Sequence, residues 1–122
     1  DKYCGMVVCN SVIEHVGNWV DMRTAANGDL GVGKRGWMQT PAFELPVEQH
    51  FLLPIVHWLA DPFQVRLISL FRPTFKALSR DDQYMAVYHT RPLTKAQFRA
   101  LLPGTELASE RLFFPKSHVA TW

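Results

Sequence analysis

Two short segments of the chain place a carboxylate beside a histidine. Glu14 directly precedes His15, and Glu48 lies two residues before His50. An imidazole has an unperturbed pKa of about 6.5, so near neutral pH it can take a proton from a reacting hydroxyl. These pairs therefore predict two candidate catalytic bases, His15 and His50, with Glu48 helping to orient or deprotonate a hydroxyl.

Each pair also has a structural interpretation. Residues 11–14, Ser-Val-Ile-Glu, match the capping box, in which a Ser hydroxyl and a Glu carboxylate satisfy free amides at a helix start. Glu48 could in the same way cap the next helix and leave His50 merely exposed. The remaining three histidines are isolated in the sequence and are expected to be structural: His57, His89 and His118.

The first third of the chain predicts a β-α-β unit around the first pair. Residues 5–9 form an apolar run typical of a buried parallel strand, and residues 36–40 form a second strand closed by Pro41. Between them, Asn18 is expected to cap a short helix that runs toward Ala26. Residues 27–33 are rich in glycine and predict a loop rather than a phosphate-binding turn, because they precede a strand.

The rest of the chain predicts a helical insertion at about residues 43–91, followed by α-β-β. One helix should begin with Asp61 as its cap, bury an apolar face, and end or kink at Pro73. Residues 51–59 should form a buried helix or a lid, and residues 94–97 match another capping box. Residues 106–114 and 117–122 predict an antiparallel hairpin. The face expected to be buried on the helix from Asp61 consists of Phe63, Leu67, Leu70 and Phe71.

Three segments, in order, carry a resemblance to a known family. They are NSVIEHVG at 10–17 with Trp19, QTP at 39–41, and PVEQHFLLP at 46–54. The chain resembles the C-terminal half of class I S-adenosylmethionine-dependent methyltransferases. The resemblance implies one partial domain, 1–122, carrying part of a Rossmann-like sheet with an antiparallel last strand. The first three strands, with most of the cofactor site, are expected to be absent from this chain.

The resemblance also implies roles for individual residues. Asn10, Ser11 and Glu14 would line the cofactor cleft, while the acceptor side would be formed at the end of the second strand and in the insertion. Relatives that bind a divalent metal read E-x-x-E-H here, but Ser11 replaces the first Glu, so too few oxygen ligands remain and no metal is expected. The residues expected to bind the methyl acceptor are Gln39, Thr40 and Glu48.

The function implied for the complete protein is methyl transfer to a small molecule, with a hydroxyl as the acceptor group. This chain alone should bind S-adenosylmethionine with millimolar affinity at best, about −4 kcal/mol or weaker. The alternative is a truncated, non-catalytic module that associates with another chain. Its first strand would be an open apolar edge, which favours a homo-oligomer or edge-to-edge association.

Composition excludes several other classes of protein. The 13 basic and 11 acidic residues are spread along the chain, so nucleic acid is not an expected partner. The longest apolar stretch, residues 51–60, is far shorter than the ~20 residues needed to span a bilayer, so no membrane association is expected. Cys4 and Cys9 should point to opposite faces of a strand and remain reduced, which predicts a cytoplasmic location.

Overall fold

A computed structural model describes residues 2–122 as an α/β fold built on a mixed four-stranded sheet. The strands are β1 (Cys4–Asn10), β2 (Gly33–Pro41), β3 (Val47–Glu48), β4 (Leu53–Pro54), β5 (Glu106–Arg111) and β6 (Pro115–Thr121). The helices are α1 (Trp19–Val32), α2 (Asp61–Phe71), α3 (Pro73–Lys76), α4 (Arg80–His89) and α5 (Lys95–Leu101). Two 3-10 turns, Ile13–His15 and Val56–Trp58, complete the set.

The main sheet has the order β1-β2-β6-β5, and β3 pairs only with β4. β1 and β2 are parallel and joined through α1, whereas β6 runs antiparallel to both β2 and β5. The β-α-β unit and the C-terminal hairpin expected from the sequence are therefore confirmed. Gly36 lets the last residue pack closely, because a Cβ there would lie 2.0 Å from the Trp122 ring.

Helix α1 differs from the expectation at its C-terminal end. Asn18 caps it as predicted, with its side chain accepting hydrogen bonds from the Val20 and Asp21 amides. The helix then continues through residues 27–32, so the predicted glycine-rich loop is wrong. Glycine costs a helix only about 1 kcal/mol relative to alanine. The full capping box and the burial of Met22 and Ala26 stabilise α1 despite its glycines.

Two hydrophobic clusters hold the fold together. The first lies between the sheet and helices α1 and α5, and includes Ile13, Met38 and Phe98. Thr94 and Gln97 form the expected capping box of α5, and Leu93 is buried in the same cluster as Phe98. The second cluster lies within the segment predicted as an insertion and is formed by Leu53, Val56, Val65, Ile68, Phe75 and Val87.

The buried face of α2 is not the one predicted from the sequence. Gln64, Val65 and Ile68 are buried, whereas Phe63 is 63% and Leu70 is 74% exposed. Phe63, Leu70 and Phe71 thus face outward, whereas Leu67, the fourth residue of the predicted face, is half-buried against the second cluster. Pro73 follows the end of α2 as expected, but the N-cap is Ala60 without a side-chain hydrogen bond, so the predicted Asp61 cap is wrong.

Residues 51–59 do not form the expected helix. They form a turn, the short strand β4 and a 3-10 turn, and Ile55 adopts a left-handed backbone with φ of 53°. Pro54 lacks the amide that a helix needs at this point, which accounts for the break. Cys4 and Cys9 are both free, as expected. Within residues 2–122, no helix is long and apolar enough to cross a bilayer.

Candidate functional site

The candidate site lies at the carboxyl ends of the parallel strands β1 and β2. The 3-10 turn that follows β1 supplies Glu14 and His15, and the turn between β3 and β4 supplies His50. In open α/β sheets, ligands bind in the crevice outside the carboxyl ends of the strands. Side chains from two distant segments therefore meet where such sheets hold their ligands.

The backbone after β1 turns Glu14 inward. Ser11 has a left-handed backbone with φ of 53°, and its amide donates to the Gln39 carbonyl at 2.9 Å. The N-cap of the following turn is Val12, with no side-chain cap, so the predicted capping box of Ser11 and Glu14 is wrong. A left-handed residue lacks the extended backbone that an N-cap needs.

The Glu14 carboxylate is fully buried at the end of β2. Thr40 donates its hydroxyl hydrogen to Glu14 Oε2 at 3.1 Å. The other oxygen, Oε1, finds no hydrogen-bond partner among residues 2–122. A buried carboxylate oxygen without a partner is costly, and no capping role offsets that cost here.

The ring of His15 is fixed by its Nδ1 atom. Nδ1 lies 2.6 Å from the His89 carbonyl oxygen, which can only accept, so Nδ1 carries the proton. In the neutral ring, Nε2 then has a free lone pair. That lone pair faces the site: Nε2 lies 3.3 Å from His50 Nε2 and 3.9 Å from Glu14 Oε1.

Glu48 fixes the ring of His50 in the same way. Its buried carboxylate lies 2.7 Å from His50 Nδ1 through Oε1 and accepts a hydrogen bond from the Phe51 amide through Oε2. Glu48 therefore closes this turn, and the alternative that it caps a helix is wrong. The bond to Glu48 raises the pKa of His50, although burial opposes the shift. Burial would raise the pKa of Glu48, but the bonds from His50 and the Phe51 amide outweigh it and lower that pKa.

Glu14, His15 and His50 form one compact group of ligand atoms. Each offers one nitrogen or oxygen, and these atoms all lie within 4.8 Å of one another. The two imidazole rings meet edge to face, with centroids 5.0 Å apart. His15 and His50 are 35 residues apart, so only the two acidic–histidine pairs hinted at this grouping in the sequence.

The other residues expected at the site lie around this group rather than in it. Asn10 and Ser11 are exposed at the end of β1, where the Ser11 hydroxyl donates to Asn10 Oδ1 at 3.2 Å. Thr40 is buried and contacts Glu14. Gln39 is one residue earlier in β2 and points to the other face, where its amide donates to Ser117 Oγ at 2.8 Å.

A second polar group was not expected from the sequence. His118 is buried, and its Nε2 lies 2.8 Å from Glu44 Oε2 while its Nδ1 lies 2.9 Å from Ser109 Oγ. These contacts hold the hairpin against the segment after β2. His57 is also buried, with Nε2 2.9 Å from the Phe43 carbonyl oxygen.

One groove lies beside the candidate site, and a larger one lies away from it. One, of about 340 Å³, runs beside β1 and is lined by apolar residues such as Val12, Val16 and Ala25. A larger one, of about 560 Å³, lies on α2 and contains none of the expected site residues. The smaller groove adjoins the end of β1. His50 itself lines a further groove, of about 410 Å³, together with Phe51, Arg72 and Phe75.

A scan against protein-family models found no matching family, and searches of curated proteins and of solved structures found no match. The resemblance to methyltransferases therefore remains a hypothesis, and the geometry of the site is the observation on which a function can be argued.

Proposed function

We propose that this chain forms the acceptor-side half of a class I methyltransferase that transfers a methyl group from S-adenosylmethionine to a small-molecule hydroxyl. The observation that carries the proposal is the pair of fixed imidazoles, His15 and His50, at the carboxyl ends of β1 and β2. The ring orientations direct both Nε2 atoms into the site, 3.3 Å from each other, where one of them can accept a proton from a bound hydroxyl.

The architecture of the sheet supports the same proposal. β1 and β2 are parallel, and the last strand, β6, is antiparallel to β2, as the resemblance implies. The apolar groove beside β1 would form the wall for the adenine end of the cofactor, and Asn10 ends the same strand. The strands that would complete the cleft would pair with the free edge of β1.

The chemistry needs alignment and one proton acceptor. When bound, S-adenosylmethionine would supply a methyl group to the acceptor oxygen, and both electrons of the broken carbon–sulfur bond would stay on sulfur. The hydroxyl proton passes to His50 Nε2, while Glu48 holds Nδ1 and stabilises the imidazolium that forms. Displacements of this kind gain most from holding the reacting atoms in line. Thr40 and Glu14 would act by fixing the turn that carries His15.

The second candidate is a non-catalytic module that acts through association with another chain. It is favoured by the position of β1 at the edge of the sheet, with Met6 62% and Val8 63% exposed. We propose a cytoplasmic location for either function, because Cys4 and Cys9 are both free.

The proposal is tested by following release of S-adenosylhomocysteine from the protein that carries this chain, with a panel of small hydroxyl compounds. His50→Gln removes the base and should lower turnover by about a hundredfold. Glu48→Gln removes the charge that stabilises the imidazolium and should have a smaller effect in the same direction.

The matched control is Glu106→Gln, which removes a carboxylate from the exposed start of β5 and should leave turnover unchanged. Thermal melts of each variant separate loss of activity from loss of fold. Full turnover in His50→Gln would contradict the proposed base, and absence of turnover with every acceptor would favour the non-catalytic module.

A further inference from the structure

We infer that Glu14, His15 and His50 form a binding site for one divalent transition-metal ion of the Zn²⁺ class. The inference reverses the expectation from the sequence that the chain has no metal site. It rests on the positions of three ligand atoms and on the groups that fix them, and it stands whether or not the protein transfers methyl groups.

The first argument is that lone pairs on three ligand atoms point at the same place with no hydrogen atom between them. His15 donates its Nδ1 hydrogen to the His89 carbonyl oxygen, and His50 donates its own to Glu48. Both Nε2 atoms therefore present lone pairs, yet they lie 3.3 Å apart. The unpartnered Oε1 of Glu14 faces the same point. Three electron-pair donors directed at one point repel each other unless a cation lies among them.

The second argument is the spacing of the atoms. Two nitrogens bound at about 2.0–2.1 Å to a tetrahedral ion lie about 3.3–3.4 Å apart. The two Nε2 atoms are already at 3.3 Å. Glu14 Oε1 is 3.9 Å from His15 Nε2, about 0.5 Å wider than the spacing of two ligand atoms around such an ion, so the carboxylate would move inward on binding.

The third argument is the set of groups behind the ligands. Metal-binding histidines nearly always donate their other ring hydrogen to a carboxylate or a backbone carbonyl. Glu48 provides the carboxylate and His89 provides the carbonyl. Thr40 holds the second oxygen of Glu14, which leaves Oε1 to face the histidines.

The ligand set selects the kind of ion. Two imidazoles and one carboxylate suit Zn²⁺ and its neighbours, whereas Mg²⁺ and Ca²⁺ require more oxygen ligands. Three protein ligands leave one position open, which is typical of catalytic rather than structural zinc sites. The His15 side chain is 40% exposed, so a small molecule can reach that position.

A bound ion would change how the site handles an acceptor hydroxyl. The two Nε2 atoms would hold the ion, so His50 would no longer take the hydroxyl proton. The ion would bind the hydroxyl oxygen and lower its pKa, and the proton would leave to solvent. The loss of activity expected for His50→Gln would be the same, so activity alone cannot separate the two roles. Metal binding is therefore measured directly.

The experiment is calorimetric titration of the chelator-treated full chain with Zn²⁺ alone, Co²⁺ alone and Mg²⁺ alone. Zn²⁺ and Co²⁺ should bind with a stoichiometry of one, and Mg²⁺ at least about a hundredfold more weakly. His15→Asn, His50→Asn and Glu14→Gln should each weaken Zn²⁺ binding strongly. Glu48→Gln should weaken it by about 10–100-fold, because it acts only through His50.

Two controls separate this site from others. Glu106→Gln should bind Zn²⁺ as the wild type does, and so should Cys4→Ser, since thiolates also bind zinc. Nitrogen-15 NMR of the unmodified chain gives a readout that needs no variant: Zn²⁺ should shift the Nε2 signals of His15 and His50 and spare His118. Absence of Zn²⁺ binding, or binding unaffected by the three ligand variants, would overturn the inference and leave a shared proton as the cation between the imidazoles.

Discussion

At the scale of single residues, hydrogen bonds from histidines lower the pKa values of carboxyl groups in this chain. The contact between Glu44 and His118 shows this outside the candidate site. Burial would raise the pKa of Glu44, but hydrogen bonds from His118 and from the Lys95 amide outweigh it, so the pKa lies below its ordinary value of 4.5. A carboxyl group whose pKa is lower in the folded state stabilises the fold only while it is ionised.

That shift predicts a pH-dependent contribution of Glu44 to stability. The contribution is fully present above the unfolded-state pKa and is lost as the pH falls through the folded-state pKa. Glu44→Gln should therefore lower the melting temperature at about pH 7, and the difference from wild type should shrink as the pH falls below about 4.

Thermal melts at several pH values check this, with Glu106→Gln as the control for loss of one negative charge. A difference between wild type and Glu44→Gln that is as large at about pH 3 as at about pH 7 would show that the contact with His118 is not responsible.

The pairs Glu14–His15 and Glu48–His50 could be recognised from residue type and spacing, because a carboxylate beside a histidine is a local pattern. Their meeting in space could not be predicted that way. It depends on two backbone features. The left-handed backbone of Ser11 directs Glu14 inward, and the turn after β3 brings His50 next to His15, which lies 35 residues earlier in the sequence. A Ser-x-x-Glu pattern is compatible with either outcome, and only tertiary packing decides between them.

At the scale of helices and strands, the local sequence pattern located the strands well but the helix ends poorly. The apolar run of β1 and the hairpin of β5 and β6 were identified from local patterns alone. The expectation that β1 is buried is wrong, because Met6 and Val8 are exposed at the edge of the sheet. The end of α1 was missed because Gly28 and Gly31 favour loops locally. The buried face of α2 was missed because local hydrophobicity does not tell which stripe of an apolar helix meets the core.

Because Gly28 is helical, replacing it with alanine should stabilise the protein. The residue is exposed in α1, and an added Cβ would meet nothing within 4 Å. Gly28→Ala should raise the free energy of unfolding by about 0.5–1 kcal/mol, because glycine loses more backbone entropy in a helix. Chemical denaturation measures the change.

Gly104→Ala is the matched control for this prediction. A Cβ at Gly104 also meets nothing within 4 Å, but its φ is +78°, so alanine there should destabilise through backbone strain alone. If Gly28→Ala were neutral or destabilising, residues 27–32 would not behave as a helix in solution.

At the scale of the whole molecule, the two edges of the sheet are protected very differently. The edge strand β5 carries Glu106, Glu110 and Arg111, and charges of this kind discourage pairing with another sheet. The opposite edge strand, β1, has only apolar residues between Gly5 and Cys9, and Met6 and Val8 are exposed on one face. The backbone groups on the free edge of β1 therefore lie beside an exposed apolar face.

This asymmetry predicts that the 122-residue chain is not a stable monomer at high micromolar concentration, and that it associates through β1. Light scattering coupled to size exclusion should show dimers or larger species. Val8→Lys places a charge on the free strand and should shift the population toward monomer without disturbing the core, because Val8 is already 63% exposed. Leu70→Lys is the matched control: Leu70 is 74% exposed on α2, away from the sheet, and its replacement should leave the association unchanged.

A wild-type chain that stays monomeric over this range would rule out the β1 edge as an association surface. Equal responses to the two substitutions would instead point to general surface hydrophobicity, since pairing of strands depends on the edge and not on exposed apolar area elsewhere.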